Sequence, residues 1–183
     1  MTEADSTSIP PTAPFRSCHR LGRVVGIRQL RADEISFLRD MLFAAIAWNP
    51  ERRLPLPKAE LLQLPQLTMF HEGWGRPGDR ALVAELDGRP VGLVWYRFFT
   101  EDLHGEGFVD EATPEVAIAV IEGQRGNGIG AALMQAIHER ARTDGVARIS
   151  LSVDHDNPAR RLYERLGYVE VAQGDERMVL DLA

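Results

Sequence analysis

The stretch from Pro114 to Glu139 constrains the fold more than any other part of this chain. An unbroken apolar run, Val116 to Ile121, predicts a strand that is buried on both faces of a sheet. Three residues later comes Arg125-Gly126-Asn127-Gly128-Ile129-Gly130, after which apolar residues recur with a helical period. A tight turn therefore joins a central strand to a helix.

The glycines of this turn indicate an anion-binding site. Without side chains, they leave backbone N–H groups exposed at the positive end of a helix dipole, where phosphate groups bind. Gly126, Gly128 and Ala131 also satisfy the dinucleotide-binding pattern, and Asp154 stands about 20 residues on, where a ribose-binding acid is expected. That pattern normally opens a βαβαβ unit, for which residues 131–183 are too few. We therefore expect a phosphate cradle of another kind.

Two motifs resemble those of the GNAT (GCN5-related N-acetyltransferase) superfamily. Arg125-x-x-Gly128-x-Gly130 after an apolar strand is similar to its coenzyme A pyrophosphate loop. The segment Asn157 to Tyr168, NPARRLYERLGY, resembles the motif that follows in that family. The resemblance covers roughly residues 114–170 and implies the α/β (α+β) acyl-CoA N-acyltransferase fold. We then expect a mixed central sheet of about 6–7 strands flanked by about 4 helices.

The remaining chain fits a single domain over residues 21–183. Residues 1–20 are rich in Ser, Thr and Pro, which predicts a flexible N-terminal tail. A helical period spans Ala32 to Ala47, and a short helix is expected over Lys58 to Leu64. An Asp87-Gly88 pair predicts a hairpin. Besides the central strand, strands are expected over Arg23–Leu30, Ala81–Leu86, Val91–Phe99, Ala147–Val153, Tyr168–Ala172 and Arg177–Leu182.

The resemblance implies acetyl-CoA as co-substrate and identifies the residues that bind it. Main-chain amides of the glycine turn, with Arg125 nearby, would hold the pyrophosphate. The central strand and Asn157 would contact the pantetheine arm, although Asn157 is also a good helix N-cap. The expected cofactor-binding residues are Ile118, Ala119, Val120, Arg125, Gly126, Asn127, Gly128, Ile129, Gly130, Ala131 and Asn157.

Catalysis by this family implies a proton donor for the leaving thiolate and a base for the amine. Tyr163 matches the family's tyrosine general acid, although it also lies in an apolar stripe with Leu162 and Leu166. Glu115, at the start of the central strand, is close to where several members of the family place their base. Glu111 and Asp110 are weaker candidates.

The segment between the first helix and the Asp87-Gly88 hairpin would wall the acceptor pocket in this family. Its aromatic and sulfur-containing residues either line that pocket or pack the core beneath a long loop. The candidates are Trp48, Met69, Phe70, His71 and Trp74.

The composition of the chain limits the classes of molecule that it is expected to bind. The net charge of −6 disfavours nucleic acid and anionic membranes and favours a cationic acceptor. Cys18 is the single cysteine, so neither an internal disulfide nor a cysteine metal cluster is expected, and no metal site is predicted. No apolar run of about 18 residues occurs, so we expect a cytoplasmic protein that does not span a membrane.

The sequence leaves the identity of the acceptor open. A small amine, an aminoglycoside-like polycation, an amino acid, a lysine side chain or a protein N-terminus each remains possible, and relatives suggest a homodimer. The alternative from another class is a non-catalytic acyl-CoA-binding sensor on the same fold.

Overall fold

Eight strands form one mixed sheet in the computed structural model, which describes residues 15–18, 24–49, 51 and 55–183. Their spatial order is β1-β2-β3-β4-β5-β6-β8-β7. The strands are β1 Phe15–Cys18, β2 Val24–Gln29, β3 Arg80–Leu86, β4 Arg89–Arg97, β5 Glu115–Val120, β6 Arg148–Ser152, β7 Val169–Glu170 and β8 Arg177–Asp181.

Five α-helices accompany the sheet within the described ranges, and two of them are single turns. They are α1 Ile35–Ile46, α2 Lys58–Leu61, α3 Pro65–Thr68, α4 Ile129–Thr143 and α5 Arg160–Arg165. One apolar cluster packs α4 and α5 against one face of the sheet, and a second packs α1 against the opposite face. None of the helices in the described ranges combines the length and apolar character needed to cross a membrane.

The sheet topology confirms the expected mixed sheet. The pair β5 and β6 is parallel, and every other pair of neighbours is antiparallel. A dinucleotide-binding domain needs several consecutive parallel strands, so the alternative interpretation of the glycine pattern does not fit this sheet. The glycine turn instead follows β5, the central strand, as the sequence predicts.

One strand lies in the segment that we assigned to a flexible tail. Phe15–Cys18 pairs with β2 in an antiparallel register, Phe15 opposite Ile27. Main-chain hydrogen bonds to a neighbouring strand do not depend on side-chain composition, so a segment without a strong apolar pattern can extend a sheet at its edge. The rest of the predicted tail lies outside the described residues.

Three local predictions can be compared directly with the backbone. The Asp87-Gly88 hairpin is confirmed, because both residues have positive φ, 52° and 73°, as a two-residue type I′ turn requires. The helix predicted over Lys58 to Leu64 shortens to the single turn of α2, and a second single turn, α3, begins at Pro65, just beyond the predicted range. The strand predicted at Tyr168–Ala172 shortens to the two residues of β7.

Candidate functional site

A gap opens between β5 and β6 in the middle of the sheet. The two strands pair at one register position in the described chain, Glu115 with Ser150, and separate beyond it. On its other side β5 pairs with β4 over its whole length, from Glu115 to Val120. One edge of β5 is therefore free to bind an extended ligand as an added strand.

The register of β4 and β5 decides which peptide groups face this gap. Ile121 N–H donates to Val91 O at 3.0 Å, so alternate residues of β5 direct their peptide groups toward β4. Ile118 and Val120 therefore turn their N–H and C=O groups toward the gap. Ala119 lies opposite Leu93 and directs its peptide groups toward β4, so the register favours Ile118 and Val120 for backbone contacts in the gap, and the contact expected for Ala119 stays a prediction.

The glycine turn joins β5 to α4 in a conformation that its sequence dictates. Gly126 and Gly128 have φ of 77° and 85°, a region that disfavours any residue with a side chain. Gly128 is the N-cap of α4, and no side chain caps this helix. Among the described residues, the N–H groups from Gly126 to Ala131 have no hydrogen-bond acceptor. Free N–H groups at the positive end of a helix dipole are the arrangement that favours anion binding, so an anion site at this turn stays a prediction.

Two side chains support this turn from within. The exposed Arg125 donates from Nε to Val120 O at 3.0 Å, which holds its guanidinium next to the glycines. Asn127 donates from Nδ2 to Gln124 O at 3.3 Å. A fixed cation and several free amides thus lie together, as the sequence predicts for a pyrophosphate site.

Helix α5 lies beside the gap and contains Tyr163. A Cβ atom on Gly130, in the first turn of α4, would lie 3.5 Å from Leu162 of α5 and 4.0 Å from Ile118 of β5. The Tyr163 ring packs edge-on against Tyr168 at 5.8 Å, and the Tyr168 hydroxyl is hydrogen-bonded to His138 Nε2 at 2.9 Å. Burial raises the pKa of Tyr163, so the phenol keeps its proton at neutral pH.

Asn157 has a structural role in the loop that enters α5. Its side-chain oxygen accepts a hydrogen bond from Ala159 N–H at 2.9 Å, and its carbonyl accepts one from Arg160 N–H at 3.0 Å. Helix α5 therefore begins at Arg160 rather than directly after Asn157. The N-cap of α5 is Ala159, so the expected N-cap role of Asn157 is wrong, and Asn157 instead stabilises the turn before the helix. A contact of Asn157 with the pantetheine arm stays a prediction.

Glu115 is a buried carboxylate with one unsatisfied oxygen. Its Oε1 accepts a hydrogen bond from Gly107 N–H at 3.0 Å, whereas Oε2 has no partner among the described residues. Burial raises the pKa of Glu115 to about 7; the Gly107 hydrogen bond opposes this shift and the nearby charge of Glu106 adds to it. A carboxylate with this pKa can exchange a proton at neutral pH, as a general base must.

Sequence comparison identifies the family to which these features belong. The model of the acetyltransferase (GNAT) family matches residues 43–168, more than two thirds of the chain. The chain belongs to the GNAT family. Members of this family are acetyltransferases that use acetyl-CoA as co-substrate.

The individual proteins that resemble this chain share only part of its sequence. The chain is 33% identical over 87 residues to an L-2,4-diaminobutyric acid acetyltransferase of Nocardia farcinica, a match that covers 45% of this chain and 39% of that relative. The GNAT domain of S. lividans PAT has a TM-score of 0.67 at 18% identity, covering 92% of this chain and 96% of its own. The Salmonella typhimurium acetyltransferase yncA, solved with acetyl-CoA, has a TM-score of 0.64 at 20% identity, with 87% and 94% covered. These structures establish the GNAT fold.

This GNAT protein buries most of the residues that were predicted to line its acceptor pocket. Met69 and Phe70 belong to the buried cluster on the α1 face. His71 is buried, with Nε2 3.0 Å from Leu62 O, and Trp74 lies beneath the Arg97 guanidinium at 5.1 Å. Trp48 donates from Nε1 to Asp154 Oδ2 at 2.9 Å and so ties the end of α1 to the loop after β6.

A cavity of about 590 Å³ lies beside the gap on the side of the β7–β8 loop. Its wall carries more negative than positive charge. Asp175 pairs with Arg177 at 2.7 Å, whereas Glu106 and Glu176 have no cation within ion-pair distance among the described residues. The cavity is lined by Glu106, Ser152, Ala172, Gln173, Gly174, Asp175, Glu176 and Arg177.

The loop that covers Glu115 was not foreseen from the sequence. Gly105 and Gly107 are buried and lie directly against the carboxylate. A Cβ atom on Gly105 would lie 2.5 Å from Glu115 Oε2, and one on Gly107 would lie 2.8 Å from both the Glu115 carboxyl carbon and the Leu151 backbone. The glycines at these two positions are the one local signal that could have indicated a close approach.

Replacing Gly107 with alanine should displace the loop that covers Glu115. The added methyl group would collide with the Glu115 carboxyl and with main chain, so the loop must move and we expect a loss of about 1–3 kcal/mol of stability. Denaturant unfolding of the variant measures the loss. Gly26→Ala is the matched control, because a Cβ atom there meets nothing within 4 Å. Equal stability of the two variants would contradict the close approach.

Proposed function

We propose that this GNAT enzyme transfers the acetyl group of acetyl-CoA directly to a primary amine, with Glu115 as general base and Tyr163 as general acid. The observation that carries this proposal is the gap between β5 and β6, which ends at the free amides of the glycine turn. An extended thioester arm bound in that gap, with its diphosphate on the turn, would reach both side chains.

The proposed roles balance the protons of the reaction. The neutral amine attacks the thioester carbonyl carbon, a C–N bond forms, and the C–S bond breaks. Glu115 accepts the proton that the nitrogen loses, directly or through water, and Tyr163 gives its proton to the sulfur. Main-chain N–H groups of β5 at the gap, including that of Ile118, would polarise the carbonyl oxygen. Solvent exchange then restores the proton on Tyr163 and removes the one on Glu115.

Two observations support an acceptor with a second positive charge. The cavity beside the gap has two unpaired carboxylates, Glu106 and Glu176, which favour a cationic group. The relative from Nocardia farcinica is named for an acceptor with two amino groups. The acceptor proposed here is therefore a small diamine or diamino acid, one amine of which reacts while the other is held in the cavity.

Thiol release from acetyl-CoA tests the proposal. The probes are 1,4-diaminobutane, butylamine and L-2,4-diaminobutyrate; the first two differ by one ammonium group. We expect kcat/KM to be about tenfold higher or more for 1,4-diaminobutane than for butylamine, because a charged hydrogen bond to the cavity is lost in the latter. Equal values would refute a cationic subsite. Tight acetyl-CoA binding without turnover of any amine would instead favour the sensor.

A further inference from the structure

Three buried polar atoms have no hydrogen-bond partner among the described residues. They are Trp95 Nε1, Glu115 Oε2 and Ser150 Oγ. Trp95 and Ser150 are fully buried, and Glu115 is 7% exposed. Almost all buried polar atoms in folded proteins are paired, because an unpaired one loses its hydrogen bonds to water without replacement. Three unpaired atoms in one part of the molecule therefore call for a common explanation.

These three side chains lie on the same face of three adjacent strands. Glu115 on β5 and Ser150 on β6 are register partners, so their side chains are neighbours. Trp95 on β4 is opposite Ala117, the next residue of β5 on the Glu115 face. Trp95 belongs to the cluster on the α1 face, which fixes that face for all three residues. All three residues thus lie on this face next to the position where β5 and β6 begin to separate.

The opposite face of β4 provides a contrast. Tyr96 follows Trp95 in the chain and points to the α4 face, where its hydroxyl donates to Asp144 Oδ2 at 2.9 Å. A polar aromatic group on that face is thus paired within the protein. The unpaired atoms are confined to the face on which the proposed base lies.

The chemistry of the three groups matches one kind of ligand. A carboxylate accepts hydrogen bonds, an indole N–H only donates, and a hydroxyl does both. We infer that Trp95, Glu115 and Ser150 form the hydrogen-bonding site for the reacting end of the acceptor, an amine with an oxygen-bearing group nearby, as in an amino acid. The nitrogen donates to Glu115 Oε2 and Ser150 Oγ, and Trp95 donates to the oxygen. This inference rests on the proposed role of Glu115 as base.

Glu115 is already prepared for such a ligand. Gly107 N–H occupies Oε1 from the covering loop and fixes the orientation of the carboxylate. Oε2 has no partner but lies beneath Gly105, so the acceptor reaches it when the loop of Gly105 and Gly107 moves aside. The backbone of Ser150 is fixed as well, because its N–H donates to Pro114 O at 3.0 Å, while its hydroxyl stays without a partner among the described residues. The Glu115 carboxylate is therefore oriented before the amine binds, and the Ser150 hydroxyl can rotate to meet it.

Ser150→Ala and Trp95→Phe test this site, with L-2,4-diaminobutyrate and 1,4-diaminobutane as acceptors. Each variant should lower kcat/KM for L-2,4-diaminobutyrate by about tenfold. The loss for 1,4-diaminobutane should be smaller in Trp95→Phe, since that amine has no oxygen, and KM for acetyl-CoA should stay within about twofold. Ser150→Ala should keep or raise Tm, because it removes a hydroxyl that has no partner in the protein.

Tyr96→Phe is the matched control and should show the reverse pattern, a lower Tm with unchanged kinetics. A Tm loss in Ser150→Ala as large as that in Tyr96→Phe would overturn the inference, because the hydroxyl would then have a partner in the folded protein. Unchanged kinetics in Ser150→Ala and Trp95→Phe, with turnover lost in Glu115→Gln, would overturn this site and leave the proposed function intact. Full turnover in Glu115→Gln would contradict both the proposed role of Glu115 as base and the proposed acceptor site.

Discussion

Replacing Tyr163 with phenylalanine is expected to lower kcat by about 10²–10⁴-fold while acetyl-CoA binding stays nearly unchanged. The substitution removes only the phenolic hydroxyl, so the ring can keep its edge-on contact with Tyr168. The leaving thiolate then has no positioned proton donor. Steady-state thiol release gives kcat, and calorimetric titration with acetyl-CoA gives Kd.

The kinetic signature separates catalysis from packing. A structural role for the Tyr163 hydroxyl would show as a lower Tm, and a binding role as a weaker Kd for acetyl-CoA. No described residue shares a hydrogen bond with this hydroxyl, so we expect neither change. Wild-type kcat in Tyr163→Phe would exclude Tyr163 from the mechanism, and a water or the substrate itself would then have to protonate the sulfur.

Replacing Glu115 with glutamine is expected to lower kcat/KM by about 10²–10⁴-fold and to change its dependence on pH. Because the pKa of Glu115 is raised to about 7 by burial, the wild-type rate should rise with pH up to that value and then level off. The glutamine variant should lose this inflection. Rate profiles between pH 5 and 9 for both proteins provide the measurement, and an inflection retained in the variant would assign the base to another residue.

Glu115→Gln should raise the stability of the protein although it lowers the activity. The pKa of Glu115 is higher in the folded state, about 7, than its ordinary value of 4.5, so the folded protein holds a proton that the unfolded chain has released between these values. Stability from this group is thus lost as pH rises from about 4.5 to about 7. Glu115→Gln should therefore gain up to about 3 kcal/mol over wild type at pH 8 and little at pH 4. Denaturant unfolding at both values tests this.

The parts of the site that are local in sequence could be predicted from it. The apolar run of β5, the glycine turn and the start of α4 are contiguous, and each residue type there has its own conformational reason. The register of β4 and β5 is not local. Without it, Ile118, Ala119 and Val120 are equivalent in the sequence, although the sheet directs the peptide groups of Ala119 away from the gap.

Other features depend on contacts between distant segments. Gly107 meets Glu115 eight residues on, but it also meets Leu151 of a different strand. The bond from Trp48 to Asp154 joins residues 106 positions apart. The alternation of β6 shows that Ser150 and Ile149 face opposite sides, yet only the sheet order brings Ser150 next to Glu115. Sequence patterns give the face of a residue, and topology gives its neighbours.

The separation of β5 from β6 also has a mechanical consequence. Strands β1 to β5 form one continuously hydrogen-bonded part of the sheet, and β6 to β8 form a smaller part. Among the described residues, a single register pair connects the backbones of these two parts. A ligand whose amides form hydrogen bonds with both β5 and β6 would hold the two parts of the sheet together. Product release would then loosen the enzyme each time, so the acyl donor would contribute rigidity to the fold as well as its acetyl group.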